Sequence, residues 1–197
     1  LTRGTAELYN GGNPEGINTA TNRSAYLQVD QKAGERLNLS LGTRYEHFSI
    51  NDSTAAKPVF RAGLNFQAGQ ASWLRASVGQ GFRFPTIAEK FIRTGLGPLQ
   101  VYPNNELRPE TAINIEAGFK QGLKMGGFQG FLDVAGFYQE YDNFIEFTFG
   151  QWGNPVTDAL AGNGFRSLNT GSSRVTGWET SLMGRATWGE ATLDVLC

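Results

Sequence analysis

Apolar and polar residues alternate over much of the chain, and each such run predicts a β-strand with one oily and one wet face. Between residues 36 and 48 one phase holds Leu37, Leu39, Leu41, Thr43 and Tyr45, and the other Asn38, Ser40, Gly42, Arg44 and Glu46. At 60–67, Phe60, Ala62, Leu64 and Phe66 oppose Arg61, Gly63, Asn65 and Gln67. At 72–83, Leu74, Ala76, Val78 and Phe82 oppose Arg75, Ser77, Gly79, Gly81 and Arg83; at 113–120, Ile113, Ile115, Ala117 and Phe119 oppose Asn114, Glu116, Gly118 and Lys120. A looser copy covers 132–139, and weaker ones 25–32, 174–187 and 191–197. The expected fold is all-β, an antiparallel meander of about eight strands.

The connections alternate as well. Short Gly-containing turns at 32–35, 68–71, 124–127 and 188–190 separate long polar segments at 10–23, 51–57, 83–109 and 142–173. Tight turns on one edge and large loops on the other are the pattern of an outer-membrane β-barrel, with short periplasmic turns and long extracellular loops. A soluble sandwich shares the alternation, because there the apolar phase faces a second sheet instead of lipid. Two features favour the barrel. The wet phase is rich in glycine with charges of both signs, as suits a lumen, and aromatics gather near strand ends (Tyr45, Phe48, Trp73, Phe82, Tyr138, Tyr141, Phe144, Trp188), as interfacial girdles require. Within the longest connection, residues 85–92 predict a helical turn with Pro85 at its first position.

Composition narrows the function classes. Aromatics at 12% and 26 glycines favour sheet over helix. A net charge of −1, with basic residues scattered singly, gives no field to recruit nucleic acid. The single cysteine, Cys197, excludes an intrachain disulfide and a paired-cysteine metal site. The one histidine, His47, sits beside Phe48 with no carboxylate spacing for a triad or metal, and no glycine-rich phosphate loop precedes a helix. No enzyme activity, metal or cofactor is expected. An apolar run of about 18 residues is missing, which excludes a transmembrane helix and leaves a barrel open. The chain opens on LTRGT and stops at LDVLC within an alternating run, so both ends are expected to be cuts.

Four segments, GFRFPTIAEKF, NNELRPETAINIEAGFK, GFYQEYDNFIEF and SLNTGSSRVTGWETSL, together resemble in order and spacing the central barrel of TonB-dependent outer-membrane receptors. By this resemblance Gly81, Phe82, Arg83, Pro85, Glu89 and Phe91 match the strand exit into an extracellular loop. Asn105, Leu107, Pro109 and Glu110 match the return, Glu116 and Gly118 the descending strand, and Asn169, Gly171, Val175, Gly177 and Glu179 the start of a later one. The resemblance implies that residues 1–197 are part of a larger barrel of about 22 strands, truncated at both ends and without its plug domain. Glu116 and Glu179 are then expected to face the lumen, with Arg75, Arg83, Arg185 or Lys120 as partners.

The expected function is that of a bacterial outer-membrane receptor segment for energised uptake of a scarce nutrient of the siderophore, cobalamin or saccharide class. The implied partners are outer-membrane lipid, a TonB-type energising protein acting through the plug, and a small-molecule or oligosaccharide ligand. A passive porin-like barrel and a soluble carbohydrate-binding sandwich are the alternatives. Candidate ligand contacts are Arg83, Arg93, Tyr102 and Asn105, and the run Phe144, Phe147, Phe149, Trp152 and Asn154, whose aromatic faces offer area at little entropic cost.

Overall fold

The computed structural model describes residues 2–5, 17–96, 99–154, 156 and 162–197. In chain order the elements are β1 (Thr2–Thr5), β2 (Ile17–Ala33), β3 (Leu37–Ile50), β4 (Ser53–Gly69), β5 (Ser72–Arg83), α1 (Ile87–Phe91), β6 (Thr94–Leu96), β7 (Leu99–Tyr102), β8 (Glu110–Met125), β9 (Phe128–Asp142), β10 (Ile145–Trp152), β11 (Gly162–Asn169), β12 (Ser173–Trp188) and β13 (Ala191–Leu196). Nine of these form one antiparallel sheet in the order β1-β2-β3-β4-β5-β8-β9-β12-β13. It contains the eight strands predicted from alternation, with the short β1 added at one edge. A second sheet, ordered β10-β11-β7-β6, is built entirely from two of the long connections.

Register keeps the two phases apart across the large sheet. Lys32, Asn38, Asn65, Arg75, Gly118, Ala135 and Glu179 stand in one row, and Gln31, Leu39, Leu64, Ala76, Ala117, Gly136 and Trp178 in the next. The apolar phase is bare: Leu27, Val29, Leu41, Phe60 and Trp178 are all more than half exposed. Among the described residues no second layer covers this face. A sandwich would bury it, and an uncovered apolar surface of this extent is foreign to soluble monomers. It is the outer surface of a barrel arc, and the polar phase is the inner one.

Several details depart from expectation. Residues 51–57 are not a long loop: only Asn51 and Asp52 separate β3 from β4, because residues 53–58 continue the strand. Asn51 takes φ 49°, and its side chain accepts the N–H of Thr19 at 3.0 Å and donates to Asn18 at 2.8 Å, which ties the β3–β4 tip to β2. Phe48 and Trp73 fall on the polar phase, not in an outer girdle. Phe48 stacks on Phe84 at 4.6 Å between ring centres. The buried apolar cluster, Ala20, Ile50, Phe84, Ile87 and Phe91, lies at the long-loop end on the polar side of the sheet, leaving the rest of the wall two-faced.

Candidate functional site

The long-loop end is organised first by its exit point. Arg83 ends β5 directly opposite Glu110, the first residue of β8. Its Nε donates to Glu110 Oε2, and its Nη1 donates to both oxygens of Glu89 at 3.0 Å. Glu89 is the third residue of α1 and closes a capping box: its carboxylate accepts the N–H of Thr86 at 2.7 Å, and Thr86 Oγ1 accepts the N–H of Glu89 at 3.2 Å. Thr86, not Pro85, therefore sets the helix start, and Pro85 is buried just outside it. Glu110 Oε1 also accepts the N–H of Ile145 at 2.6 Å, so one carboxylate joins β5, β8 and β10. Burial works to raise its pKa, but the bonds from Arg83 and Ile145, with the arginine charge, outweigh that and hold it below the usual carboxylate value. The hydrogen bond to Glu110 likewise raises the Arg83 pKa, reinforced by Glu89 against the cost of burial.

A second tie runs through Lys90, which is buried on α1. Its Nζ donates to the carbonyls of Asn105 at 2.7 Å and Leu107 at 3.2 Å, and Asn104 returns its N–H to the Lys90 carbonyl at 2.8 Å. Burial pushes the ammonium pKa down. The two halves of the first long connection are thereby closed on each other.

The third tie joins the two connections. β7, from the first, pairs in parallel with β11, from the second, through Gly164↔Gln100, Phe165↔Val101 and Arg166↔Tyr102. Gly164 is required here: a Cβ at this position would lie 2.0 Å from the carbonyl oxygen of Gln100. Beside it Asn104 Nδ2 donates to Ser167 O at 2.9 Å, and Arg166 Nε donates to Pro103 O at 3.2 Å. Asn169 accepts the N–H of Arg108 at 2.9 Å and donates to the carbonyls of Arg108 at 3.0 Å and Asn143 at 2.7 Å.

The candidate ligand residues divide over this frame. Phe147 and Phe149 share one face of the loop sheet with Phe165, which stacks on Phe147 at 5.1 Å and meets Phe149 edge-on at 5.2 Å; both outer rings are about half exposed. Phe144 precedes that sheet and meets Tyr141 edge-on at 6.1 Å. Trp152 lies on the opposite face, donates its indole N–H to Gly164 O at 3.1 Å and has the Arg166 guanidinium 5.8 Å from its ring centre. Tyr102 is buried on that same face. Asn105 and Asn154 are exposed, Arg93 is half-buried, and Arg83 is engaged by its two carboxylates. Leu107 is buried and Pro109 half-buried at the strand entry. Lys90, Asn104, Phe165 and Arg166 are contributors that residue-type reasoning passed over. Two signals in the sequence pointed to part of this: Thr86-Ile87-Ala88-Glu89 is a capping-box pattern, and Ile145, Phe147 and Phe149 alternate like a strand.

Below the loops the polar wall carries paired charges. Arg75 reaches Glu116 at 3.2 Å and Asp133 at 2.7 Å, crossing Gly118, where a Cβ would sit 2.7 Å from the guanidinium. Gly177 leaves similar space for the ring of Phe137, and Gly81 stands close to Ala112. Arg185 pairs with Asp194 at 2.6 Å, and Lys120 lies 3.6 Å over the Phe131 ring. Of the expected inward pairs, Arg75–Glu116 forms, while Arg83, Arg185 and Lys120 take other partners. Glu179 shares the inward row and is exposed.

A wall with one lipid-type face, one charged face and a sheet of joined loops at one end matches a known architecture. Residues 2–196 match the sequence profile of the family described as TonB dependent receptor-like, beta-barrel. The chain belongs to the TonB-dependent receptor family. Its fold is shared with the Serratia marcescens hemophore receptor HasR, solved with its hemophore HasA and heme (TM-score 0.75, 17% identity, 92% of this chain and 34% of that one). The siderophore receptor PirA of Acinetobacter baumannii superposes at TM-score 0.63 with 20% identity, over 89% of this chain and 27% of that one. The copper transporter OprC gives 0.65 with 16% identity, over 91% and 29%. The chain thus spans about a third or less of the length of these solved structures. A comparison with curated protein sequences gives no match. Members of the family are outer-membrane β-barrel proteins, and the bare apolar face and the joined loops are those of a segment of such a barrel.

Proposed function

We propose that this chain is the wall and loop segment of a bacterial outer-membrane receptor that captures a scarce, metal-bearing nutrient at its extracellular loops and imports it with energy from the inner membrane. On this reading residues 1–197 are one part of a longer barrel whose plug domain engages a TonB-type protein. The supporting observation is the joining of two long loops into a single sheet by the β7–β11 pairing, Asn104–Ser167 and the Asn169 clamp. The family's solved members named above handle heme, a siderophore and copper, which motivates the metal-bearing class.

The ligand contacts are Phe147 and Phe149, exposed on the platform, by stacking, with the exposed Asn105 and Asn154 and the half-buried Arg93 offering polar atoms. Trp152, Tyr102 and Arg83 act behind them, holding the loop sheet in place. The test is uptake by cells that carry the full receptor, offered radiolabelled ferric chelates, heme, copper and cobalamin. Saturable uptake of one of these, abolished by a protonophore, is expected. Uptake that is linear with concentration and indifferent to the protonophore would support a porin and overturn the proposal.

A further inference from the structure

The loop sheet ends on two unequal edges. One is β6, three residues long; the other is β10, eight residues in unbroken antiparallel register with β11. The direction of the β10 backbone groups follows from its entry. The Phe144 carbonyl accepts the N–H of Thr170 at 2.8 Å, and its own N–H goes to the Gly171 carbonyl at 3.0 Å, so residue 144 bonds toward the β11 side. Backbone groups alternate in direction along a strand. Glu146, Thr148 and Gly150 therefore bond to β11, and Ile145, Phe147, Phe149 and Gln151 turn their N–H and C=O groups outward. Ile145 agrees with this: its N–H goes to Glu110 Oε1 at 2.6 Å, on the wall and away from β11. Phe147, Phe149 and Gln151 come next on that edge, and among the described residues nothing pairs with their backbone groups.

Strand edges that stay open to water are blunted by brevity, lysine, proline or a bulge. β6 has brevity. β10 has none of these devices: its sequence, IEFTFGQW, holds no lysine or proline, and Phe147 and Phe149 beside the open groups are apolar and about half exposed. Such an edge is a template for adding another strand, whose backbone supplies the missing donors and acceptors. The way the sheet is assembled points to the source of that strand. β7 and β11 come from different connections and join by backbone pairing, so loop-to-loop strand addition already built the middle of the sheet. The chain spans about a third or less of its solved relatives, and the rest of a longer barrel would bring further connections to the same rim.

We propose that the β10 edge is covered by an extended segment of another connection of the same receptor, from outside residues 1–197, which pairs with Phe147, Phe149 and Gln151 as a fifth strand of the loop sheet. The platform then draws on three connections, and the added strand borders the aromatic face of Phe147, Phe149 and Phe165. The inference rests on the reading of this chain as part of a longer barrel, and it is independent of which nutrient is carried and of how uptake is energised.

Hydrogen exchange resolved to single amides, on the full-length receptor in micelles with no nutrient added, tests it with an internal control. Glu146, Thr148 and Gly150 are bonded to β11 in either case, and Phe147, Phe149 and Gln151 should exchange within about tenfold of them. Exchange of these three at the rate of an unstructured amide, or protection that comes only with added nutrient, overturns the proposal. Phe149→Ala keeps the outward N–H, and Phe149→Pro removes it. The proline should release Phe147 and Gln151 to fast exchange while the alanine leaves them protected; equal exchange in the two variants overturns the proposal. A photo-crosslinker, p-benzoylphenylalanine in place of Phe147, gives a reading that leaves the strand backbone intact. Mass spectrometry of the irradiated receptor should find it joined to a segment of the same chain outside residues 1–197. Crosslinks confined to residues 1–197, or a crosslinked pair of receptors, overturn the proposal. Loss of energised uptake in the earlier test leaves these readings unchanged, so the two proposals fail separately.

Discussion

Removing the Glu110 carboxylate should loosen both long loops at once, by an amount that two substitutions can dissect. Glu110→Ala leaves the Ile145 N–H, now bonded at 2.6 Å, without its acceptor, a loss of about 1–3 kcal/mol. It also takes one of two carboxylates from Arg83, whose side chain is 44% exposed and keeps Glu89; solvent screening limits that part to about 1 kcal/mol or less. Together the loss is about 1–4 kcal/mol, or roughly 5- to 700-fold in an opening equilibrium. Glu110→Gln retains an oxygen for Ile145 and loses the charge and the hydrogen bond from Arg83, a partly exposed contact, so its effect should be about 1 kcal/mol, roughly fivefold. Hydrogen exchange of the full receptor in micelles reads this directly. Amides of 86–92 and 145–152 should speed up together, more in Glu110→Ala than in Glu110→Gln, with 114–120 unchanged. Equal effects of the two variants, or acceleration confined to 145–152, would refute the idea that this carboxylate joins three elements.

The same carboxylate fixes a pH dependence. Its folded pKa lies below the ordinary 4.5, so its contribution is complete above that value and fades as the pH falls below it; loop exchange, corrected for its intrinsic pH dependence, should be flat near neutrality and rise only in that acid range. Gly164→Val should separate β7 from β11, since no Cβ fits 2.0 Å from Gln100 O, and proteolysis should then cut residues 99–102 as well as 162–169, while the barrel strands stay protected. Thr86→Ala removes the cap of α1 and should cost about 1 kcal/mol, seen as roughly fivefold faster exchange in 87–92. Leu41→Arg places a charge on the lipid face and should reduce stability in bilayers by about 2–4 kcal/mol, whereas Ser40→Arg on the inner face should change it little; urea titration of vesicle-bound receptor compares the two.

The strands of the wall were legible because each has two faces in different media, so Leu37 to Tyr45 and Leu74 to Phe82 carry the period of two in their side chains. The upper part of β4 was not, since residues 53–58 do not alternate apolar with polar side chains; Pro58 reads as a loop residue, yet it stands opposite Tyr45 in the β3–β4 ladder. The loop sheet was hidden for a different reason. Its central contact, β7 against β11, joins Gln100 to Gly164 in parallel across a long stretch of sequence, and no local pattern specifies that pairing. Residue type alone did not show how Arg83 is held: an arginine at a strand exit suggested a ligand contact, and the structure adds that it forms a clasp between Glu89 and Glu110. Phe147 and Phe149 remain where stacking would need them, exposed on the platform with Phe165 beside them on the same face.

In the full barrel the bare apolar phase faces lipid and the charged phase faces the lumen. Single nitroxide labels placed in turn at positions 38–45 of β3, in the full receptor reconstituted in lipid vesicles, test it most directly through collision with oxygen, which concentrates in hydrocarbon, and with a nickel chelate, which stays in water. Oxygen accessibility should peak at 39, 41 and 43, and nickel accessibility at 38, 40 and 42. Equal access along the strand, or the opposite phase, would contradict it.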